Sequence, residues 1–153
     1  RNNRQPEHKQ EGRRITSTFF TEIFSLECYF QTINDRSYKM DHRFKPVSVD
    51  ISNSDQLLTI EWADGHISEL GLFGLRKNCP CVECRGGHSQ MGRYEPQLFL
   101  VEPTRTYKIV SAEQVGLHAL KINWDDGHNS GMYRWELLRH MDESSEKLRN
   151  QAD

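Results

Sequence analysis

The sequence predicts a small α+β domain made of antiparallel β-hairpins and short helices. The chain has 153 residues, the length of one domain with an appended segment. Two stretches alternate apolar and polar residues and then reach Asp-Gly, at 64–65 and at 126–127. This pattern is typical of a hairpin, because Gly readily adopts the positive φ that the turn requires.

Residues 1–39 differ in composition from the rest of the chain and are predicted to be an N-terminal arm that is partly disordered. The first 14 residues are polar and basic. Four of the seven Phe lie in 15–39, and Phe20 and Phe24 are candidate interaction residues on one face of a short helix. Two interpretations stay open, an extension outside a core domain that begins at Met40 or a docking segment at 15–39.

The core domain is predicted over 40–141, and its first half contains one complete hairpin. Alternating residues predict the strands, and the Asp-Gly turn joins two of them. The elements are an edge strand at Val47 and Val49, a strand through Leu58, Ile60 and Trp62, a return strand ending near Leu70, and a helical turn from Leu72 to Arg76.

The second half of the core domain follows a long loop over 85–105, which is rich in Gly, Arg and Pro. Long loops in small domains are either functional or mobile. After it come a strand at Tyr107, Ile109 and Val115, a strand through Leu120, Ile122 and Trp124, the second Asp-Gly turn, and a helix from Tyr133 to Met141. Residues 142–153 are predicted to be a charged C-terminal tail.

The two hairpins belong to an internal repeat. Residues 60–68 and 122–130 share the pattern I-x-W-x-D-G-H-x-S, and each copy runs on to a Leu-Arg pair, at 75–76 and at 138–139. The predicted unit is therefore strand, Asp-Gly turn, strand and short helix, used twice. The Trp of each copy is expected to pack in a shared core.

Composition excludes several classes of function. The formal charge is -2, the mean hydropathy is -0.80 and the pI is about 6.4, so no overall basic field is available for nucleic acid. No stretch approaches the ~18 apolar residues of a membrane span. A phosphate-binding G-x-x-x-x-G-K-[ST] loop is also absent from the sequence.

Three of the four cysteines form a metal-binding pattern, C-x-C-x-x-C, at Cys79, Cys81 and Cys84. Neighbours this close do not readily form disulfides with one another, and thiolates hold zinc tetrahedrally. The cluster therefore predicts an intracellular protein with a metal site. Cys28, in the arm, is expected to be an inert thiol.

The fourth ligand is expected from a distant part of the chain, because such a crosslink lets metal binding stabilise the fold. His128 and His66 follow the two Asp-Gly turns at equivalent places, and His88 is nearest to the cysteines in sequence. Spacing alone does not choose among these three histidines. Cationic side chains beside the cluster, which could offset its negative charge, are Arg76, Lys77 and Arg85.

The motifs resemble the N-terminal domain of gamma-butyrobetaine hydroxylase and trimethyllysine dioxygenase. The resemblance covers about 46–141 and rests on L-R-x-x-C-P-C-x-x-C at 75–84 and W-x-D-G-H-x-S at 124–130. The same domain occurs alone as a small bacterial protein of unknown function, and fused to iron–sulfur ATPases. The resemblance implies an α+β fold with one structural zinc, held by Cys79, Cys81, Cys84 and His128.

The resemblance also implies that hydroxylation belongs to a separate iron-binding domain for which this chain has no room. The H-x-D at 140–142 is interpreted as a solvated helix end. We therefore expect a non-enzymatic, zinc-stabilised binding or accessory module that acts through a protein partner. Two forms stay open, a subunit of a larger assembly and a homodimer. Arg85 and Arg93 in the loop are candidate interaction residues.

The alternative function is an accessory factor in iron–sulfur cluster assembly or delivery, with iron or a cluster in place of zinc. Neither nucleic-acid binding nor a membrane span is expected. The expected location is intracellular, either the cytoplasm of a bacterium or an organelle of a eukaryote.

Overall fold

The computed structural model describes residues 13–15 and 41–152, and these form two antiparallel sheets with short helices between them. The strands are β1 (Arg13–Ile15), β2 (Pro46–Ser52), β3 (Leu57–Trp62), β4 (Ile67–Gly71), β5 (Ile109–Val115), β6 (Ala119–Trp124) and β7 (Met132–Arg134). The helices are α1 (Leu72–Lys77), α2 (Val82–Arg85) and α3 (Trp135–Ala152), with 3-10 turns at His42–Phe44, His88–Gln90 and Pro96–Phe99. The predicted α+β fold is confirmed.

The first sheet has the order β1-β2-β3-β4, and the second has the order β5-β6-β7. Because β1 pairs with β2, with Arg14 opposite Asp50, the strand that contains Val47 and Val49 lies inside the sheet. The prediction of an edge strand there was wrong. The rest of the predicted arm, including Phe20 and Phe24, lies outside the described residues.

The two hairpins of the internal repeat have the same hydrogen bonds. The Trp62 N–H donates to the carbonyl of His66 at 2.9 Å, and the Trp124 N–H donates to the carbonyl of His128 at 2.9 Å. Both turn glycines have positive φ, +85° and +84°, as an Asp-Gly turn requires. The repeat is therefore a structural one.

The structural unit is larger than the sequence motif, because each copy begins with an additional strand. The Ala63 N–H donates to the carbonyl of Lys45 at 2.9 Å, and the Asp125 N–H donates to the carbonyl of Lys108 at 2.9 Å. In each copy, the bond joins the residue just before the additional strand, β2 or β5, to the residue that follows the Trp of the hairpin. Each unit therefore contains three strands followed by a helix, β2-β3-β4-α1 and β5-β6-β7-α3.

The two units share a single hydrophobic core, as expected. Trp62 and Trp124 are buried, with 1% and 3% of their surface exposed. The rings of Trp62 and Trp135 meet edge to face at 6.3 Å, an arrangement that adds to the burial of apolar surface. Side chains from both sheets and from α1 and α3 complete the core, among them Leu58, Ile60, Leu75, Ile122 and Leu138.

Helix α3 is longer than predicted and contains most of the segment expected to be a charged tail. It continues past Met141 to Ala152. Met141, Asp142 and Ser145 are buried, so the H-x-D motif is not a solvated helix end. The charged residues on the opposite face hid this buried side in the sequence. In the part of the chain that the structure describes, no helix combines the length and apolarity needed to cross a bilayer.

The long loop is held against the helices by polar and apolar contacts. The Asn78 side chain binds the backbone of Glu95 twice, at 2.7 and 3.0 Å, and the Tyr94 hydroxyl lies 2.9 Å from the Ser144 hydroxyl. The ring of Phe99 packs directly on Gly74 in α1, where a Cβ would lie 2.4 Å from it. Gly74 is thus required for this close approach.

We expect Gly74→Ala to lower the free energy of unfolding. The Phe99 ring would have to move, and overpacking of this kind typically costs about 1–3 kcal/mol. The matched control is Gly71→Ala, since a Cβ at Gly71 meets nothing within 4 Å. Urea titrations of the two variants measure the difference, and equal stability for both would contradict the proposed packing.

Candidate metal centre

The three clustered cysteines lie where α1 ends and α2 begins. α1 ends at Lys77, Cys79 and Cys81 precede α2, and Cys84 lies within it. The Cys84 N–H donates to the sulfur of Cys81 at 3.3 Å, which caps α2 and brings both sulfurs to the same side of the turn. Short-range geometry thus places three thiols together with little loss of chain entropy.

The second Asp-Gly turn brings His128 to these thiols. Its Nε2 atom lies 3.1, 3.5 and 3.7 Å from the sulfurs of Cys79, Cys81 and Cys84. Tetrahedral zinc, with bonds of about 2.3 Å to sulfur and 2.0 Å to nitrogen, places the two atoms about 3.5 Å apart. All four donor atoms lie within 4.8 Å of one another. The group could therefore hold a metal ion such as zinc.

The absence of a side chain at Gly131 leaves space for the sulfur of Cys79. A Cβ built on Gly131 would lie 2.7 Å from the Cys79 sulfur, so a larger residue would displace this donor. Gly131 follows the second turn, on the same segment as His128. Sequence reasoning missed this glycine, because nothing in its neighbourhood except proximity to the turn indicates a close approach.

The donor set is buried on one side and open on the other. Cys79 is fully buried and Cys81 has 8% of its surface exposed, whereas Cys84 is exposed. Burial raises the pKa of the Cys79 thiol to about 12, with a smaller contribution from the charge of Cys84. Burial also opposes ionisation of Cys81, but hydrogen bonds from the Cys84 backbone and the neighbouring thiols lower its pKa. Cys79 therefore needs a cation to stay ionised.

Arg76 connects the thiol cluster to the turn that carries His128. Its Nε donates to Asp126 at 2.9 Å, and its Nη1 lies 3.6 Å from the Cys84 sulfur. Burial opposes the charge of Asp126, but the hydrogen bonds and charges of Arg76 and His128 together lower the pKa of the carboxyl. Asp126 in turn accepts a hydrogen bond from the His128 N–H at 3.1 Å. Arg76 was expected to balance charge, and it also positions the distant ligand.

Arg85 serves the loop rather than a free surface. Its guanidinium donates to the carbonyls of Cys79 at 2.8 Å and of Arg93 at 3.2 Å, and also to the carbonyl of Lys77. Arg93 is exposed. Of the two predicted interaction residues in the loop, Arg93 is thus the one whose side chain faces solvent.

The other two histidines considered as ligands lie elsewhere. His88 is exposed in a 3-10 turn of the loop. His66 points its Nε2 to Asp142 at 2.8 Å and does not belong to the thiol group. Their local sequences are nearly the same, so the contacts of the folded chain, and not the local pattern, separate the two histidines; His128 is the one that the family resemblance implied.

Comparison with known proteins agrees with these motifs. The family described as "Gamma-butyrobetaine hydroxylase-like, N-terminal" matches residues 49–139. A gamma-butyrobetaine dioxygenase from Pseudomonas sp. (strain AK-1) is 34% identical over 87 residues, which are 54% of this chain and 21% of that enzyme. This chain therefore matches only about a fifth of its relative's length.

Solved structures share the fold. A crystal structure of a DUF971-family protein of unknown function from Acidithiobacillus ferrooxidans has a TM-score of 0.51 and 28% identity, covering 67% of this chain and 98% of the other. An NMR solution structure has a TM-score of 0.55 and 23% identity, covering 78% and 82%, and supports the fold alone. The family match spans more than half of the chain. The chain therefore belongs to the family of gamma-butyrobetaine hydroxylase-like N-terminal domains.

Proposed function

We propose that this domain is a zinc-stabilised module that carries out no reaction of its own and acts by binding a protein partner. The observation that carries the proposal is the closed donor set of Cys79, Cys81, Cys84 and His128. Structural zinc sites have four protein ligands, whereas catalytic zinc sites keep one position for water or substrate. Three thiolates favour zinc over harder ions, and bound zinc would supply crosslinking rather than Lewis-acid chemistry.

The place of the site in the fold supports a structural role. Cys79 belongs to the hydrophobic core, and His128 comes from the other structural unit. A metal ion at this point would join the end of α1 in the first unit, and α2 after it, to the hairpin of the second unit. Such a crosslink contributes directly to folding, because the unfolded chain has no preformed site.

The comparison with the dioxygenase supports a module without its own chemistry. The matched region is 21% of that enzyme, so the same domain is there one part of a larger protein. By analogy, the domain in this chain would contribute binding surface to a partner or assembly. Arg93 and the arm residues Phe20 and Phe24 are the predicted contacts.

The experiment is purification of the untagged protein from its source cells without oxygen, followed by metal analysis, visible absorption and native mass. We expect one zinc per chain, no colour, and a mass larger than the monomer because a different protein is bound. If the protein contains iron and absorbs visible light through thiolate-to-metal bands, the zinc assignment is overturned in favour of the iron–sulfur alternative. A native mass equal to that of one chain would overturn the binding of a protein partner. A native mass of two chains would replace that partner with a second copy of this chain.

A further inference from the structure

We propose that the molecule holds a second metal site, formed by His66, Asp142 and Glu146, for a divalent transition-metal ion. The His66 Nε2 lies 2.8 Å from Asp142 Oδ2. One donor atom from each of the three side chains lies within 4.8 Å of the others. The proposal is independent of the thiol cluster, and it adds a ligand that the proposed function does not require.

The internal repeat relates this group to the thiol cluster. In the first centre, Arg76 binds Asp126, and Asp126 accepts the His128 N–H. In the second, Arg139 binds both oxygens of Asp64 at 3.2 and 3.0 Å, and Asp64 Oδ1 accepts the His66 N–H at 3.2 Å. The arginine of each unit thus positions the histidine of the other unit.

The correspondence extends to the first ligand after the arginine. Cys79 lies three residues after Arg76, and Asp142 lies three residues after Arg139. Each of them makes the shortest side-chain hydrogen-bond contact with the histidine of the other unit, 3.1 Å in the first pair and 2.8 Å in the second. At this position the second group therefore has a carboxylate oxygen where the first has a thiol sulfur.

The chemistry of the three side chains suits a harder ion than the thiol cluster does. One imidazole and two carboxylates are ligands of zinc, manganese and related divalent ions, and three protein ligands leave room for water. In octahedral coordination, bonds of about 2.1 Å at right angles place two donor atoms about 3.0 Å apart, close to the 2.8 Å between His66 Nε2 and Asp142 Oδ2. The charge of a divalent ion, +2, would also neutralise the combined charge of the two carboxylates, -2.

The group brings two carboxylates to one imidazole. The Asp142 side chain is 2% exposed and is paired with His66. Glu146 lies one helical turn further along α3, where like charges at i and i+4 repel each other. Arg139, three residues before Asp142, binds Asp64 and Glu143. An ion between the carboxylates would remove the repulsion and join the first hairpin to α3.

The test is a calorimetric titration of the full chain, already loaded with one equivalent of zinc, with further Zn²⁺. We expect a second ion per chain in the wild type. Glu146→Gln should weaken this second binding about tenfold or more, because it removes one of three ligands. The matched control is Glu136→Gln, an exposed carboxylate on the same helix outside the group, which should bind as the wild type does.

A cobalt titration distinguishes the two sites by colour. Co²⁺ in the thiol cluster should show intense sulfur-to-metal absorption, whereas the second equivalent should add only weak bands that Glu146→Gln removes. Uptake of a single ion by the wild type at millimolar Zn²⁺ would overturn the proposal and leave a His66–Asp142 hydrogen bond. A second ion whose affinity is unchanged in Glu146→Gln would overturn it as well.

Discussion

Cys81→Ser is expected to unfold the domain or to destabilise it severely. The binding free energy of a structural zinc is also folding free energy, on the order of 10 kcal/mol, and small domains are stable by only about 5–15 kcal/mol. A serine hydroxyl does not replace a thiolate as a soft ligand. Cys81 also caps α2 through the Cys84 N–H, and serine is itself a good N-cap, so the loss of stability is expected to come from the metal site and not from the cap.

Thermal melting followed by circular dichroism, together with zinc analysis, measures this effect. The matched control is Cys28→Ser, the same chemical change at a cysteine outside the predicted ligand set. Wild-type protein treated with a strong chelator should resemble the Cys81→Ser variant. A normal melting curve for Cys81→Ser would sink the structural metal site.

His128→Ala is expected to release the tightly bound metal, whereas His66→Ala should retain it. His128 is the candidate ligand from the second unit, and its loss would remove a donor and with it the metal crosslink between the units. His66 lies after the equivalent turn but faces Asp142. Its removal leaves a buried carboxylate without its partner, which costs about 1–3 kcal/mol of stability.

Competition with a chelator at one equivalent of zinc separates the two histidines. The His128→Ala variant should lose zinc to chelator concentrations that leave the His66→Ala variant loaded. Equal loss from both variants would mean that the repeat does not distinguish the two sites as the geometry indicates. The comparison is well controlled, because both substitutions remove an imidazole from the same turn type.

The reciprocal arrangement of arginines and turns explains why the repeat matters for the fold. Arg76 of the first unit holds the turn of the second, and Arg139 of the second unit holds the turn of the first. Arg139 is 6% exposed, and a buried cation of this kind needs its partners to offset desolvation. The two units thus depend on each other, and each supplies the support for the other's histidine.

Local pattern was enough to predict most of the elements. Alternation predicted the strands through Trp62 and Trp124, because a half-buried strand exposes every second residue. The Asp-Gly pairs predicted the turns, since few residues other than Gly accept their positive φ. The end of α3 was missed, because its buried face carries Asp142 and Ser145 instead of apolar residues.

The candidate site was predictable in part for a similar reason. Cys79, Cys81 and Cys84 are close in sequence, so a short turn must bring them together. The choice between His66 and His128 depended on a family resemblance, because equivalent positions in a repeat carry the same local signal. The supporting roles of Arg76 and Gly131 require knowledge of which segments meet across the core.

The sequence by itself determined the two hairpin units, their turns and the thiol cluster, since these depend on contacts between residues that are near one another along the chain. Apart from the family resemblance, only the tertiary structure decided which histidine faces the thiols, and it alone showed that the other faces Asp142. It also decided that residues 142–152 pack as a helix. These outcomes depend on how two similar units pack around one core, and the hydrophobic effect that drives such packing is not directional. The specific pairing comes from Arg76 with Asp126 and from Arg139 with Asp64.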